Sequence, residues 1–365
     1  MKLAVRELVR KPGRFAVAGT ALVVLTMLML FLGGLLDGLY LGSTGVLRSQ
    51  SAELLVFSSD ARSSLVRSRI SPEVRAEVAA TPGVAAVSGL GVALVGGTVP
   101  GEQDVADIAV VGYEEPTDGI PAPPPSGEGW ADRSLERSGV EPGDVLGLGP
   151  ARVPVRVAGW VEDANYLQQG GLWVEPGTWR EVLASARPDS TLAEGTFQAL
   201  AVTVDPGADP EAVASAIDDA TGGATGTLTR QAAVLSLPGI KEQNSTFASI
   251  IGVTAFVAGL VIALFFSLLT LERTGMYAVL KAIGASTRQI FTGVVVQAVA
   301  VAVISFVFGA VVVHLVSPVL VSALPFQLLP SRTATTLVLL VITAVIGSAV
   351  SLRRVVRIDP ASAIG

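Results

Sequence analysis

The sequence predicts an α-helical membrane protein, with four transmembrane helices and an α+β extracytoplasmic domain inserted between the first and second. Three observations predict it. Half of the 365 residues are hydrophobic, and the windows 15–36, 247–271, 290–317 and 333–352 hold no charged side chain. Each has the ~20 residues needed to cross about 30 Å of hydrocarbon. Residues 41–246, by contrast, are polar, rich in turn residues, and carry 13 Lys plus Arg against 27 Asp plus Glu. The rest of the chain reverses that balance, with 12 basic and 4 acidic residues.

The basic residues set the orientation. Lys2, Arg6, Arg10, Lys11 and Arg14 precede the first span, Arg273, Lys281 and Arg288 lie between the second and third, and Arg353, Arg354 and Arg357 follow the last. Only Arg332 falls on the other side. By the positive-inside rule both termini face the cytoplasm of a bacterial cell and the acidic segment lies outside. With no cysteine, no disulfide staples that segment and no thiolate site is available.

Residues 1–14 repeat a basic residue at Lys2, Arg6 and Arg10, with Leu3, Val5, Leu8 and Val9 on other faces, the pattern of a cytoplasmic interfacial helix. Pro12-Gly13 is expected to turn the chain into the first span, 15–40. A cleaved signal peptide is the other reading, but the apolar run exceeds a usual h-region and no small-x-small site ends it. Asp37 is expected to be solvated at the outer surface.

The outer domain, 41–246, reads as two strand–helix–strand units flanking an insertion. In the first, 53–57 is a strand; Ser71 caps a helix with Pro72 at its first position; Thr81-Pro82-Gly83 then turns into a strand over 84–95. In the second, 199–204 is a strand, Asp209-Pro210 starts a helix through Ala220, and a short strand lies near 226–228. The insertion, 112–184, opens on the stiff run PAPPPSGEG and continues into short strands at 145–148, 153–161 and 172–174, a small barrel or sheet. Residues 231–246 read as a helix running into the second span, 247–271.

Residues 272–289, ERTGMYAVLKAIGASTRQ, join the second span to the third. Met276, Val279, Leu280 and Ile283 fall at i, i+3, i+4 and i+7, one stripe of a short helix, while Arg273, Lys281 and Arg288 supply charge. Gly284 is placed to take the left-handed conformation that closes a helix, and Ser286 with Gln289 forms an S-x-x-Q capping box that opens the next. The segment is predicted to be a rigid knuckle that passes force from a soluble partner into the bilayer. Met276, Val279, Leu280 and Ile283 are the candidate anchors in a partner's groove, with Glu272, Arg273 and Lys281 at its rim and Gly284 at the turn. The alternative is that the stripe lies on lipid.

The third span, 290–317, is expected to end at Ser317-Pro318. His314, the sole histidine, sits near its outer end and reads as an interfacial or packing residue. An outer loop, 318–332, with Pro325 and Pro330, leads to the fourth span, 333–352. A cytoplasmic tail, 353–365, closes the chain with a helix-start pair at Asp359-Pro360.

Taken in order, these residues resemble the permease subunits of MacB/FtsX-type ABC systems. That family has one span, a large outer domain, three more spans, a cytoplasmic element running from Glu to Lys/Arg-Ala-Ile/Leu-Gly-Ala, and a closing basic-x-Asp-Pro. Here Glu272, Lys281, Ala282, Ile283, Gly284 and Ala285 match the first element, Arg357, Asp359 and Pro360 the second, and Leu8, Arg10, Pro12 and Arg14 the basic N-terminal run. Arg273-Thr274-Gly275-Met276 stands where the family usually has Glu-Ile/Leu-Gly. The resemblance implies a non-catalytic permease paired with a separate ATPase that uses ATP and Mg, since this chain has no G-x-x-x-x-G-K-S/T loop and binds no cofactor of its own. It also implies a second permease chain, as homo- or heterodimer, and a function in export, lipid extraction or mechanotransmission to an extracytoplasmic partner protein; nucleic acid is not among the implied partners.

Two other function classes are weaker. A membrane hydrolase would have to work with carboxylates alone, because no histidine or cysteine lies in the outer domain. An ion-coupled transporter would need a charged relay that the four windows lack. Within the leading class, the uncharged spans favour extraction of an apolar substrate or force transmission; an FtsX-like transducer controlling a cell-wall enzyme is the alternative to a transporter.

Overall fold

Pro12 begins a helix instead of turning the chain: α1 runs over Pro12–Arg48. A proline is tolerated in the first helical turn, where its missing N–H has no intrahelical partner to lose. The structure, a computed structural model, describes residues 12–188 and 192–356. Residues 1–11 of the expected interfacial segment, and Arg357, Asp359 and Pro360 of the tail, lie outside them. The chain divides into two compact units, residues 39–242 and the flanking remainder.

In the unit 39–242, β1 (Leu54–Ser58) reads as a continuous apolar run because both of its faces are covered. Leu54 and Val56 join one buried cluster, Leu55 and Phe57 another. Next come α2 (Pro72–Ala79), β2 (Val84–Thr98), β3 (Val105–Tyr113), β4 (Glu128–Asp132), β5 (Val145–Leu148), β6 (Val153–Val161) and β7 (Gly170–Val174). The unit then continues with α3 (Pro176–Ala186), β8 (Ala199–Val204), α4 (Pro210–Ala220), β9 (Thr225–Thr229) and α5 (Arg230–Ser236). Ser71 caps α2 by accepting from the Val74 N–H, and Asp209 caps α4 by accepting from the Glu211 N–H, each followed by proline at the first helical position.

The 15-residue β2 decides the architecture. Its first part pairs with β8 in an antiparallel sheet ordered β2-β8-β1-β9. Its second part pairs with β3, and at Gly97 and Thr98 also with β5. The pairings β3–β7, β7–β4, β4–β6 and β6–β5 then return to β2 and close a six-stranded barrel. The β-rich insertion is therefore not bounded at 112–184. It takes in β3 and the end of β2, which runs past the expected stop at Val95. Gly96-Gly97 looks like a break in the sequence, yet a Cβ on Gly97 would lie 2.4 Å from Ile108 Cδ1, so glycine here makes room for the neighbouring strand's side chain.

The helix expected over 231–246 is broken. Leu237, which precedes Pro238, is extended at φ −58° and ψ 134°, and Gly239 has φ +84°. A residue before proline is pushed out of the helical region, which ends α5 and lets a new helix start at Ile240.

The other unit contains α6 (Ile240–Glu272), α7 (Thr274–Ala282), α8 (Thr287–Ala323) and α9 (Pro330–Val356). With α1, the helices α6, α8 and α9 are long and apolar enough to cross a membrane. Phe15, Leu22 and Leu30 of α1 pack with Ile262, Phe266, Ala298 and Leu340. The outward faces stay apolar, as with Leu264 at 71% and Val319 at 68% exposure, which suits lipid rather than water. A polar tie joins α1 to α8 where the Ser305 hydroxyl donates to the Gly19 carbonyl at 3.1 Å.

Two expectations for this unit are corrected. The third span does not end at Ser317-Pro318, because α8 continues through Pro318 to Ala323. Proline leaves the carbonyl four residues back without its N–H, and the Ser317 hydroxyl supplies the missing donor to the His314 oxygen at 2.8 Å. Nor is Asp37 solvated. It is 5% exposed and ion-paired with Arg332, the one basic residue expected on the outer side. A carboxylate in an apolar setting stays charged only with such a partner.

Candidate functional site

The link between α6 and α8 is short and closed by local hydrogen bonds at every turn. Glu272 ends α6, and Arg273 interrupts the helix at φ −112° and ψ 15°, with its N–H donating to the Thr270 carbonyl at 3.3 Å. After α7, Gly284 adopts φ +99°, a conformation that suits glycine. Its N–H donates to the Lys281 carbonyl at 3.0 Å and that of Ala285 to the Leu280 carbonyl at 2.9 Å, the double closure of a Schellman motif. Ser286 then opens α8 with the capping box: its hydroxyl accepts from the Gln289 N–H at 3.2 Å, and its own N–H donates to Gln289 Oε1 at 3.0 Å. Three residues therefore separate Ile283 from the start of α8, and the backbone N–H of each is hydrogen-bonded.

The side chains divide differently from the simple stripe. Met276, Val279 and Ile283 are exposed, at 49%, 53% and 75%. Leu280 is half-buried and packs with Ala285 against the buried Tyr277 and Ile290. It supplies the hydrophobic contact that accompanies a Schellman closure, so its position in the stripe is spent inside the link. Arg273, expected at the rim, is 7% exposed and belongs to the packing beneath α7. Glu272 and Gly284 are exposed and Lys281 is half-buried. The surface presented by α7 is therefore the row Met276, Val279 and Ile283, with one acid and one base beside it.

Sequence reasoning missed the Asp37–Arg332 pair. Its signal was present: Asp37 directly follows the uncharged window 15–36 and Arg332 directly precedes the uncharged window 333–352. His314 is exposed on α8. No group of three or more His, Asp or Glu side chains that could hold a metal ion occurs among the described residues.

Comparison with known proteins adds four findings. Residues 248–360 match the family model described as FtsX-like permease C-terminal. A putative hemin transport system permease protein, HrtB, of Staphylococcus epidermidis is 30% identical over 109 residues, 30% of this chain and 31% of that one, so the match spans about a third of that relative. An uncharacterized ABC transporter permease of Mycobacterium tuberculosis is 27% identical over 376 residues, covering 99% of this chain and 98% of its own. Among solved structures, the periplasmic region of MacB from Actinobacillus actinomycetemcomitans aligns at 12% identity and a TM-score of 0.35, over 52% of this chain and 92% of that one.

Proposed function

We propose that this chain, whose residues 248–360 form an FtsX-like permease domain, is the membrane subunit of an ATP-driven complex, and that α7 is its coupling helix. A separate ATPase supplies ATP hydrolysis with Mg, and a second permease chain completes the complex. In this reading α7 faces the cytoplasm, as the basic residues around it favour, and the unit 39–242 lies outside. The observation that carries the proposal is the row Met276, Val279 and Ile283, held exposed on a short helix whose C-terminal end is closed by the Schellman motif, directly before the capping box that opens α8. An exposed apolar row on a stiff support is the form that helix-in-groove recognition uses. Because the link has little slack, movement of α7 in a groove is passed to α6 and α8 instead of being absorbed by loop bending.

The reading favours force transmission or extraction of an apolar substrate over passage of a charged one. Asp37 and Arg332 neutralise one another, and the windows 15–36, 247–271, 290–317 and 333–352 hold no charged side chain. The test is co-purification of the ATPase with Val279→Asp and Ile283→Asp. Burying an apolar side chain of this size contributes about 1.5–3 kcal/mol, so each variant should weaken docking roughly tenfold or more. Full retention of an active ATPase by both variants would make the row a lipid-facing surface and overturn the assignment.

A further inference from the structure

The outer unit holds a second constellation, independent of α7. Arg75 on α2 and Arg180 on α3 lie over one aromatic ring, their Cζ atoms 5.6 Å and 4.9 Å from the Phe197 centroid. That ring is stacked on Trp179, with centroids 5.9 Å apart and planes at 4°, and both are buried, so the pair makes a fixed floor. The backbone brings in a third arginine. Ile70 and Phe197 exchange N–H···O bonds of 2.8 Å and 3.1 Å, which sets Arg69 beside the same strand. The fourth is Arg187, the exposed C-cap residue of α3. It is close enough to act on Arg69, whose pKa is lowered first by burial and then by the charge of Arg187.

This concentration is unusual in a segment with twice as many acidic as basic residues. Among the described residues, Arg75 alone of the four has an ion-paired carboxylate: Glu114 accepts from both of its terminal nitrogens, at 3.0 Å and 2.7 Å. Arg69 uses Nη1 on the carbonyls of Val66 and Ser68, at 3.0 Å and 2.7 Å. Arg180 and Arg187 have no ion pair among the described residues, and Arg180 Nε is buried without a hydrogen-bond partner. A buried donor with no acceptor, and like charges with no counter-ion, are both destabilising unless something else is bound there. Among the described residues, one carboxylate is ion-paired with these four guanidiniums.

We propose that this cluster is a binding site for a phosphate group, with Arg180 and Arg187 as its main ligands and Arg69 beside them. Several planar guanidinium forks match the oxygens of a phosphate dianion by paired hydrogen bonds, and a dianion offsets the excess charge better than a carboxylate does. The site requires nothing of the coupling helix, and either reading stands without the other.

The experiment uses the full chain in detergent at fixed ionic strength. Inorganic phosphate is titrated by calorimetry in one arm, and short-chain phosphatidic acid in neutral micelles in the other. Saturable binding is expected in at least one arm: inorganic phosphate for a free ligand, phosphatidic acid alone for a lipid headgroup. Arg180→Ala and Arg187→Ala should each weaken it roughly tenfold or more. Arg133→Ala, which removes a surface partner of Glu162 at 3.6 Å, should leave it unchanged. If Arg180→Ala fails to fold, Arg180→Lys, which keeps the charge and loses the fork, and the exposed Arg187→Ala carry the test. No saturable binding in either arm, or unweakened binding by Arg187→Ala and Arg180→Lys, overturns the proposal.

Discussion

Arg332 holds Asp37 with two nitrogens: Nη2 donates to Oδ1 at 2.7 Å, and Nε lies 3.2 Å and 3.3 Å from the two carboxylate oxygens. The acid is on α1 and the base on α9, 295 positions apart in the chain. Two further contacts fasten the same region: the Gln327 N–H donates to the Gly34 carbonyl at 2.9 Å, and Phe326 stacks on Phe31 at 6.0 Å. The stretch of α1 from Phe31 to Asp37 is thus tied to the connection between α8 and α9 and the start of α9.

The two halves of this pair differ in burial, so their truncations should differ in cost. The Asp37 side chain is 7% exposed and that of Arg332 33%. Arg332→Ala strands a dry carboxylate and should lower stability by about 3–5 kcal/mol, whereas Asp37→Ala leaves a guanidinium that still reaches water and should cost less. Asp37→Leu combined with Arg332→Met should recover most of the loss. Thermal melts of the variants in one detergent check this. Equal losses from the two alanine variants would show that burial does not set the cost.

On α7 the neighbours Val279 and Leu280 should separate docking from stability. Val279 is exposed, so Val279→Asp should leave the melt of the isolated chain unchanged. Leu280 packs on Tyr277 and Ile290, and Leu280→Asp should lower it through lost packing worth about 1.5–3 kcal/mol or more. Melts that do not distinguish the two would contradict the packing of Leu280 inside the link.

Glu175 caps α3 and should make the unit 39–242 sensitive to acid. Burial raises its pKa, but hydrogen bonds from the Gly177 and Thr178 N–H groups, each 2.7 Å, and from nearby hydroxyls outweigh it, and the net shift is downward from 4.5. A folded pKa below the unfolded one adds stability above the unfolded value and loses it as pH falls through the folded one. The melting advantage of the unmodified chain over Glu175→Gln should therefore shrink between neutral pH and about pH 4. An advantage that persists unchanged would mean the charge of Glu175 contributes nothing to the cap.

What could be read from the chain alone follows from interactions of short range or from the solvent. Ser71, Asp209 and Ser286 announce helix starts because a cap bonds an N–H only two or three residues ahead. The four spans are legible because hydrocarbon thickness dictates a length and forbids charge. The Pro318 and Pro238 errors arise from two separate effects of proline, the loss of its N–H and the restriction on the residue before it. Ser317 replaces the missing donor at Pro318, whereas before Pro238 the backbone of Leu237 leaves the helical region.

The strand–helix–strand order of the two flanking units, the four spans, the capping box and the apolar spacing of α7 were determined by the sequence itself, through periodicity and local hydrogen bonding. Tertiary structure decided that β2 serves a sheet and a barrel at once, that Leu280 and Arg273 turn inward while Met276, Val279 and Ile283 stay out, and that Asp37 meets Arg332. Each of these depends on which surface comes to cover a residue. That surface is supplied by segments far away in the chain or on the next helix, and a pattern of 3.6 or 2 residues says which face is apolar but not what will lie against it.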